Sequence, residues 1–456
     1  MYTLKRILKR LLMKNCPQRT ILITFFCLFI VEEARAIPEF ARKYNTGCST
    51  CHSAVPKRNA FGEAFRINGY VMPSKDEQFI KRQRVALGVE AWKDVWPDAI
   101  YPGWLPASFP LSAYIHQRFV YAPHEGGTKF DFDMPHELEL FIGGTFGKTY
   151  SYFAQWVIFE KGENANGLKR AFFQINDIFG PDNAFNIRAG KLETGITEGY
   201  VDNNRITLEH AMTLDYNATG KWKPRDQQSG IEARGILNHR FQYVFGVVNG
   251  EEVTTNDATD EKDIYGRLGY KFGGLALDGY QPEGMDALPQ SNNWGDNSFT
   301  IGVYTYKGNY LSDADNDINN IFKRYGVDAH GNINRFDLFA GVIFGTDNNP
   351  SGLANGTDLE KELNSIAWFV EGQYLIYPWL ITGIRVGGAS SDQNKNDIDK
   401  YTLISPNITV LALANVRFTV EGFIKIEGDK TIGGETIKAS NEEPVKWIKV
   451  NLLFVL

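Results

Sequence analysis

Five consecutive residues, Cys48-Ser49-Thr50-Cys51-His52, carry the strongest chemical signal in the sequence. Two thiols at this spacing, followed directly by an imidazole, are typical of c-type haem attachment: both sulfurs bond to the porphyrin, and the histidine ligates the iron. The two other cysteines, Cys16 and Cys27, both lie in the first 36 residues. The pattern predicts one covalent haem c, attached at Cys48 and Cys51, with His52 as its proximal axial ligand.

Other uses of these thiols are less consistent with the sequence. A disulfide between Cys48 and Cys51 would suit an oxidising compartment, but the adjoining His52 favours haem attachment. A closed zinc site would need four ligands, and no second cysteine pair follows the first 36 residues.

The distal axial ligand is open at this stage. Met72 is the nearest thioether and a candidate ligand to the haem iron, with an ordinary apolar contact as the alternative. A methionine ligand would raise the reduction potential relative to a second histidine. A water-filled position is a further alternative, and so are the later histidines His116, His124, His136, His210, His239 and His330.

Residues 1–36 are typical of a secretory signal peptide. A lysine- and arginine-rich start precedes the apolar stretch Ile21–Val31, and Ala34-Arg35-Ala36 matches a cleavage site. The apolar stretch is too short to cross a bilayer as a helix. We therefore expect a mature chain that begins at Ile37 in an exported compartment.

Charge and composition narrow the class of protein. The whole chain has a net charge of −6, and because the first 36 residues hold seven Lys/Arg and two Glu, the mature chain is near −11. An acidic chain argues against nucleic acid as a partner. No later stretch is apolar enough for a transmembrane helix, whereas 31 Phe, 21 Tyr, 9 Trp and 44 Gly favour a β-barrel with aromatic girdles.

From residue 83 onward the apolar residues recur with a period of two. The run from Val416 to Ile426 is an example, and similar runs begin at Tyr150, Ile264 and Ile366. Each run has about ten residues, the length that a tilted strand needs to cross a bilayer. Residues 83–456 are therefore predicted to form an antiparallel outer-membrane β-barrel.

The predicted connections fall into two classes. Short turns are expected near Gly147-Lys148, Gly180 to Asn183, Asn238-His239, Gly273-Gly274, Gly331-Asn332, Tyr377-Pro378 and Ala414-Asn415. Long loops are expected near 193–227, 249–261, 281–297, 307–320, 345–363, 388–401 and 427–443. Such asymmetry is typical of bacterial outer-membrane barrels.

The number of strands is less certain from the pattern than their length. Two long loops follow each other between 281 and 332, so the pattern either omits one strand there or includes one too many. The predicted count is about 16 strands, with 18 as the alternative.

Residues 37–82 are predicted to form a short helical haem segment. Its helix is expected to begin near Pro56 and to stop at Asn68-Gly69. Phe61 and Phe65 share one face, where they either cover a porphyrin edge or only anchor the helix. A segment this small needs additional support, so we predict that it plugs the barrel lumen. The rival arrangement leaves it in the periplasm with an exposed haem.

The haem segment also resembles a known family. Residues 37–44 (IPEFARKY), the Cys48 to His52 motif, Pro56, Phe61-Gly62 and Gly69-Tyr70 are similar to the leader of the fused outer-membrane monohaem cytochrome–porins. The best-known members are ferrous-iron oxidases of iron-oxidising bacteria. The motifs are specific over about forty residues, whereas the likeness of the barrel is architectural.

The resemblance implies an electron-transfer protein in the outer membrane, surrounded by lipid, with both termini on the periplasmic side. It would accept electrons from an extracellular donor, Fe(II) in the best-known members, and pass them to a periplasmic c-type cytochrome or another soluble carrier. A haem in a barrel would shorten a gap of roughly 25–30 Å of hydrocarbon. Two alternatives stay open: a porin whose haem is structural or sensory, and an outward-directed reductase of extracellular acceptors.

Overall fold

The computed structural model describes residues 39–73, 76, 85–86, 104–105, 111–122, 129–160, 167–200, 205–215, 222–250, 261–280, 295–313, 318–350, 362–394, 397–427, 430–432, 435–437 and 445–455. The predicted signal peptide and His124 lie outside these residues. None of the helices in the described ranges is long and apolar enough to cross a bilayer.

The N-terminal segment for which haem attachment is predicted is described over residues 39–73 and 76, and we call it the haem segment. It contains helix α1 (Glu39–Tyr44), a 3-10 turn (Cys48–Thr50), the paired strands β1 (His52–Ala54) and β2 (Lys57–Arg58), and helix α2 (Ala60–Ile67). Helix α2 begins at Ala60 rather than near Pro56, because Asn59 caps it and Pro56 lies in the turn between β1 and β2. The expected stop is confirmed, since Gly69 adopts a φ of +68°.

The rest of the described chain is dominated by a closed antiparallel barrel. A short pair of strands, β3 (Val85–Ala86) and β4 (Trp104–Leu105), precedes it. Its strands are β5 (Leu111–Tyr121), β6 (Phe130–Phe146), β7 (Tyr150–Glu160), β8 (Gly167–Ile175), β9 (Asn186–Glu193), β10 (Gln227–Leu237), β11 (Phe241–Val248), β12 (Asp263–Gly273), β13 (Ser298–Asp313), β14 (Ile318–Ile333), β15 (Phe336–Asn348), β16 (Glu362–Tyr377), β17 (Leu380–Asn394), β18 (Asp397–Leu413), β19 (Val416–Glu427) and β22 (Val445–Val455). The small hairpin of β20 (Lys430–Ile432) and β21 (Glu435–Ile437) lies between β19 and β22. Within the described residues, 16 strands form the barrel, which closes where β22 pairs with β5. The predicted fold class and strand count are confirmed.

Strand β12 shows how the sequence pattern sets the two faces of the wall. Ile264, Leu268 and Phe272 are exposed on the outside, whereas Tyr265 and Arg267 are buried on the lumen side. Because successive side chains of a strand point to opposite faces, an apolar exterior and a polar interior arise from one alternating run.

The connections explain the irregular region of the sequence pattern. Alternate connections lie at one end of the barrel, which we call the turn end: 147–149, 176–185, 238–240, 274–297, 334–335, 378–379 and 414–415. The predicted long loop 281–297 falls in the connection between β12 and β13, which joins the two strands at the turn end rather than at the opposite end. The predicted loops at 307–320 and 388–401 are largely strand, because β13, β14, β17 and β18 continue pairing beyond their apolar runs.

The haem segment lies inside the lumen at the turn end. Its Glu39 amide donates to Ser112 Oγ of β5 at 3.0 Å, and Lys43 Nζ donates to Thr145 Oγ1 of β6 at 2.8 Å. On the opposite side of the barrel, Lys57 Nζ bonds to Asp337 of β15 and, at 2.5 Å, to Gln373 of β16. Haem segment and barrel belong to one compact unit.

A second insertion fills the lumen further from the turn end. The connection from β9 to β10 includes a 3-10 segment (Gly195–Tyr200) and helix α3 (Met212–Asp215). The first contacts β11 to β14 and the second contacts β15 to β17. We call the described residues of this connection, 194–200, 205–215 and 222–226, the inward loop.

Candidate functional site

The Cys48 to His52 motif forms a tight turn. The amides of Thr50 and Cys51 donate to the carbonyl oxygens of Gly47 and Cys48 at 3.1 and 3.2 Å. The two thiols are not bridged to each other. Burial raises the pKa of both, that of Cys51 to about 12. Both cysteines are therefore protonated thiols at neutral pH until they are modified.

Asn59 and Gly62 hold this turn against helix α2. Asn59 Oδ1 accepts from the Gly62 amide at 2.8 Å and so caps the helix. The Asn59 amide group donates to the carbonyl oxygens of Ser49 and Thr50 at 3.2 and 3.0 Å. A side chain at Gly62 would place its Cβ only 2.0 Å from the Cys51 carbonyl oxygen. The sequence reasoning missed Asn59, although an asparagine before the apolar α2 sequence is a capping signal.

His52 is oriented as a metal ligand would be. Its Nδ1 lies 3.1 Å from the Pro56 carbonyl oxygen, which has no proton to donate, so Nδ1 carries the hydrogen. Burial, with a smaller contribution from Arg58, lowers the pKa of His52 to about 4. The ring is neutral at pH 7, and the lone pair of Nε2 is left to ligate.

The four residues predicted from the sequence line one cavity. Cys48, Cys51, His52 and Met72 all border a space of about 250 Å³ between the haem segment and the barrel wall. Met72 is buried, and its amide donates to Asp76 Oδ1 at 2.8 Å. The same oxygen accepts from the Tyr44 hydroxyl at 2.6 Å. Asp76 therefore fixes the Met72 backbone beside the cavity.

Aromatic rings from both sides form the walls of this cavity. Tyr70 lies between Phe40 of α1 and Phe153 of β7, with ring centroids 5.1 and 5.5 Å apart in stacked geometry. Phe65 lines the cavity, as required by the predicted alternative in which it covers a porphyrin edge. Phe61 packs behind it in the cluster with Tyr44 and Met72 and is absent from the lining. Flat apolar walls of this kind suit a planar macrocycle.

Two lumenal arginines border the same cavity, and each is paired with a glutamate, Arg170 with Glu193 at 2.6 Å and Arg188 with Glu232 at 2.5 Å. Arg170 of β8 and Arg188 of β9 border it and lie over the rings of Phe153 and Phe172. Haem carries two propionate carboxylates, and guanidinium groups are suited to bind carboxylates. The sequence reasoning missed both arginines, because alternation places them in the lumen without indicating their height or neighbours.

The remaining candidate ligands are distributed elsewhere. His116 of β5 and His136 of β6 are neighbours on the barrel wall, edge to face with ring centroids 4.9 Å apart, and His330 bonds to Asp337 at 2.5 Å. Among the described residues, His52 is the only histidine of the cavity lining. The described side chains also contain no group of three or more His, Cys, Asp or Glu that could by itself hold a metal ion.

Comparison with known proteins adds information on the fold. No family model matches the chain, and no curated protein matches it. Solved structures do. The barrel has a porin-like fold. OmpT, an outer membrane protein of Vibrio cholerae, is 10% identical and superposes with a TM-score of 0.51, covering 76% of this chain and 96% of its own. The anion-selective porin from Comamonas acidovorans is 14% identical, with a TM-score of 0.52 and coverage of 76% and 98%. OmpF of Salmonella typhi is 12% identical, with a TM-score of 0.50 and coverage of 76% and 97%. At these identities the likeness concerns the fold alone.

Proposed function

We propose that the chain is an electron-transfer protein of the bacterial outer membrane that carries one covalent haem c. It accepts electrons from an extracellular donor, Fe(II) by the resemblance of its N-terminal segment, and passes them to a periplasmic c-type cytochrome or another soluble carrier. One observation carries the proposal: Cys48, Cys51, His52 and Met72 line a single aromatic-walled cavity in the lumen.

The donor set and the walls of the cavity fit a c-type haem. Both thiols and a neutral imidazole border it, and Met72 offers a thioether as the distal ligand. When bound, the haem supplies reversible one-electron exchange at its iron. The aromatic walls suit the flat macrocycle, and the guanidinium groups of Arg170 and Arg188, which border the cavity, would be the partners of the propionates. Thioether ligation would favour a higher reduction potential, as an acceptor of electrons from Fe(II) needs.

The membrane location has support from the barrel surface and from its porin-like fold. Outward-facing side chains such as Phe245, Leu268 and Val370 are exposed, and lipid would cover them. Short connections of such barrels face the periplasm. The first and last described segments, at Glu39 and Val455, both lie at the turn end, so both termini would be periplasmic.

A titration of the purified, haem-loaded protein with Fe(II) tests the function. Produced in a host that matures c-type cytochromes, the protein should show a covalent haem spectrum that converts to the ferrous form as Fe(II) is added. The Cys48→Ala/Cys51→Ala double variant should fold as a barrel without covalent haem. If Fe(II) leaves the haem oxidised at a pH where reduction is thermodynamically allowed, Fe(II) is not the donor.

The porin-like fold is also consistent with a second function, that of a channel whose haem is structural or sensory. In that case the protein should conduct ions in planar bilayers, and its haem should not exchange electrons with Fe(II) or a soluble carrier. The haem segment inside the turn end of the lumen favours the electron-transfer function over the channel.

A further inference from the structure

A second cavity lies between the inward loop and the barrel wall. Its volume is about 230 Å³, and its lining is mostly polar. It extends to Glu160, the last residue of β7, at the end of the barrel opposite the turn end. At its other end it reaches Pro56, whose carbonyl oxygen holds His52. We call it the outward cavity.

The lining of the outward cavity has an excess of positive charge. Four carboxylates border it, Glu137, Glu160, Glu209 and Asp215. Six cationic side chains also border it, Arg118, Lys169, Arg205, Lys223, Arg225 and Arg417. Counting only these carboxylates and cationic side chains, the lining therefore has a surplus of two positive charges.

Two of these four carboxylates, Glu209 and Asp215, are paired with lysine or arginine. Asp215 Oδ1 accepts from Lys223 at 3.0 Å and from Arg225 at 2.7 Å. Glu209 pairs with Lys449 of β22. Burial by itself would raise the pKa of Glu209, but Lys449 and Arg118 lower it to about 2. Glu209 and Asp215 therefore stay ionised, Glu209 paired with Lys449 and Asp215 paired with Lys223 and Arg225.

Two buried guanidinium groups have no such partner. Arg118 is 9% exposed, and its Nε donates to the neutral Asn451 Oδ1 at 3.0 Å. Arg417 is 5% exposed, and its Nη1 donates to the Arg205 carbonyl oxygen at 3.2 Å. Asp133, opposite Arg118 in the β5–β6 register, pairs with His136 instead. Within the described part of the chain, neither guanidinium forms an ion pair with a carboxylate.

We propose that the outward cavity binds a small oxyanion of the carboxylate or phosphate class, held by Arg118 and Arg417. A buried charge without a counterion is costly, and an anion at this position would supply the missing counterion. The planar guanidinium fork presents parallel N–H donors that match the two oxygens of a carboxylate or phosphate.

The bound oxyanion is either a free anion or part of a ligand in the outer shell of a metal complex. The second source rests on the proposed function. A bare Fe²⁺ ion would be repelled by the positive surplus, whereas Fe(II) chelated by a polycarboxylate presents carboxylate oxygens to Arg118 and Arg417. The donor class would then be anionic ferrous chelates rather than the aquated ion.

Binding is tested on the purified, haem-loaded full chain with sodium citrate and inorganic phosphate as probes. The unfolding temperature of the wild type should rise with citrate at constant ionic strength, because a ligand of the folded state stabilises it. Arg417→Gln and Arg118→Gln should weaken citrate binding about 10-fold or more, as expected for loss of a charged hydrogen bond. Arg335→Gln, an exposed arginine in the turn between β14 and β15, should keep the full response.

The same variants separate ligand binding from a structural role. Without citrate, Arg417→Gln should unfold no earlier than the wild type, because it removes an unpaired buried charge. An earlier unfolding would assign Arg417 a structural role and overturn the proposal. A citrate response of equal size in Arg417→Gln, or none in the wild type, would overturn it as well.

The two sources of the oxyanion are separated by haem reduction rates. Fe(II)-citrate should reduce the wild-type haem faster than the same concentration of uncomplexed Fe(II), and Arg417→Gln should lower the ratio of these rates about 10-fold. An unchanged ratio would restrict the site to a free anion and refute the chelate as donor. If neither form of iron reduces the wild-type haem, the proposed function fails, whereas citrate binding is judged separately by the unfolding assay.

Discussion

At the scale of single residues, Gly62 packs directly against the Cys51 peptide, with no room for a side chain. A Cβ on residue 62 would lie 2.0 Å from the Cys51 carbonyl oxygen and 2.9 Å from its carbonyl carbon, and both are backbone atoms. Gly62→Ala should therefore displace the haem-attachment turn. We expect a destabilisation of about 1–3 kcal/mol, as for an overpacked core, and a lower fraction of chains with covalent haem.

The matched control is Gly47→Ala, in the same segment. There the nearest atom to a new Cβ is Ser49 Oγ at 3.6 Å, and the backbone conformation suits any residue. This variant should keep both haem content and denaturation midpoint, measured by haem absorbance and circular dichroism. Equal haem content in both variants would contradict the close packing of α2 on the motif.

Met72 gives a second prediction at this scale. If its thioether is the distal ligand, Met72→Ala should change the ligation spectrum of the ferric haem and lower the midpoint potential, whereas Met72→His should lower the potential with a bis-histidine spectrum. Met212→Ala, which truncates a buried methionine of α3 on the inward loop, is the control. An unchanged spectrum in Met72→Ala would remove Met72 as ligand.

The residues of the candidate site could be predicted from the sequence where a short contiguous motif specifies them. The Cys48 to His52 motif specifies its chemistry within five residues, and Met72 lies close behind it. Arg170 and Arg188 could not be found in this way, because many lumenal side chains alternate along the strands. Which of them meets the haem segment depends on strand register and on how that segment docks.

At the scale of secondary-structure elements, Lys57 anchors the β1–β2 hairpin to the barrel wall. It is 2% exposed and bonds to Asp337 and to Gln373. Lys57→Met would leave the Asp337 carboxylate buried, bonded to His330 but paired with no lysine or arginine among the described residues. Removing one partner of a buried pair costs about 3–5 kcal/mol.

Chemical denaturation monitored by haem absorbance measures this cost. The Lys57→Met/Asp337→Leu double variant should recover part of the loss, because no uncompensated carboxylate then remains. Lys148→Met, an exposed lysine in the β6–β7 turn, should have little effect. A double variant less stable than Lys57→Met would argue against a pairwise interaction.

The stability of the inward loop should depend on pH, because two of its carboxylates are paired with cationic side chains. Although burial opposes ionisation, Lys449 lowers the pKa of Glu209 to about 2, and Arg225 and Lys223 lower that of Asp215 to about 2. Each folded-state pKa lies below its ordinary value, so these pairs stabilise the loop above about pH 4.5. This contribution is lost as the pH falls towards 2.

Hydrogen exchange of residues 205–215 is the measurement for this effect. Protection of the loop should decrease between pH 4.5 and pH 2, and Glu209→Gln should flatten that dependence because its side chain does not titrate. A pH profile of the same shape in the wild type and in Glu209→Gln would exclude Glu209 as the titrating group.

The strands were predictable in kind but not always in extent. The outward-facing run of β12 was read correctly, since alternation fixes which residues face lipid. Strand ends were misjudged at β13 and β18, where backbone pairing continues through residues without apolar alternation. The helix start at Ala60 was missed because the Asn59 cap, rather than Pro56, sets it.

At the scale of the whole molecule, the lumen contains two layers along the barrel axis. The haem segment and its cavity lie at the turn end, and the inward loop borders the outward cavity beyond it. Pro56 connects them, because it lines the outward cavity and its carbonyl oxygen holds His52. A donor bound in the outward cavity would therefore lie next to the segment that holds His52, the proposed haem ligand.

This layering predicts a barrel with low ion conductance. An open barrel of 16 strands has an aqueous channel, but the haem segment here bonds to opposite sides of the wall through Glu39 and Lys57. In planar bilayers the full-length protein should conduct far less than an open porin of equal strand number. Lys57→Met should raise the conductance by loosening the haem segment, and Lys148→Met should not. A wild-type conductance equal to that of an open porin would mean that the haem segment leaves the lumen in the membrane. The channel function would then account for the barrel better than electron transfer does.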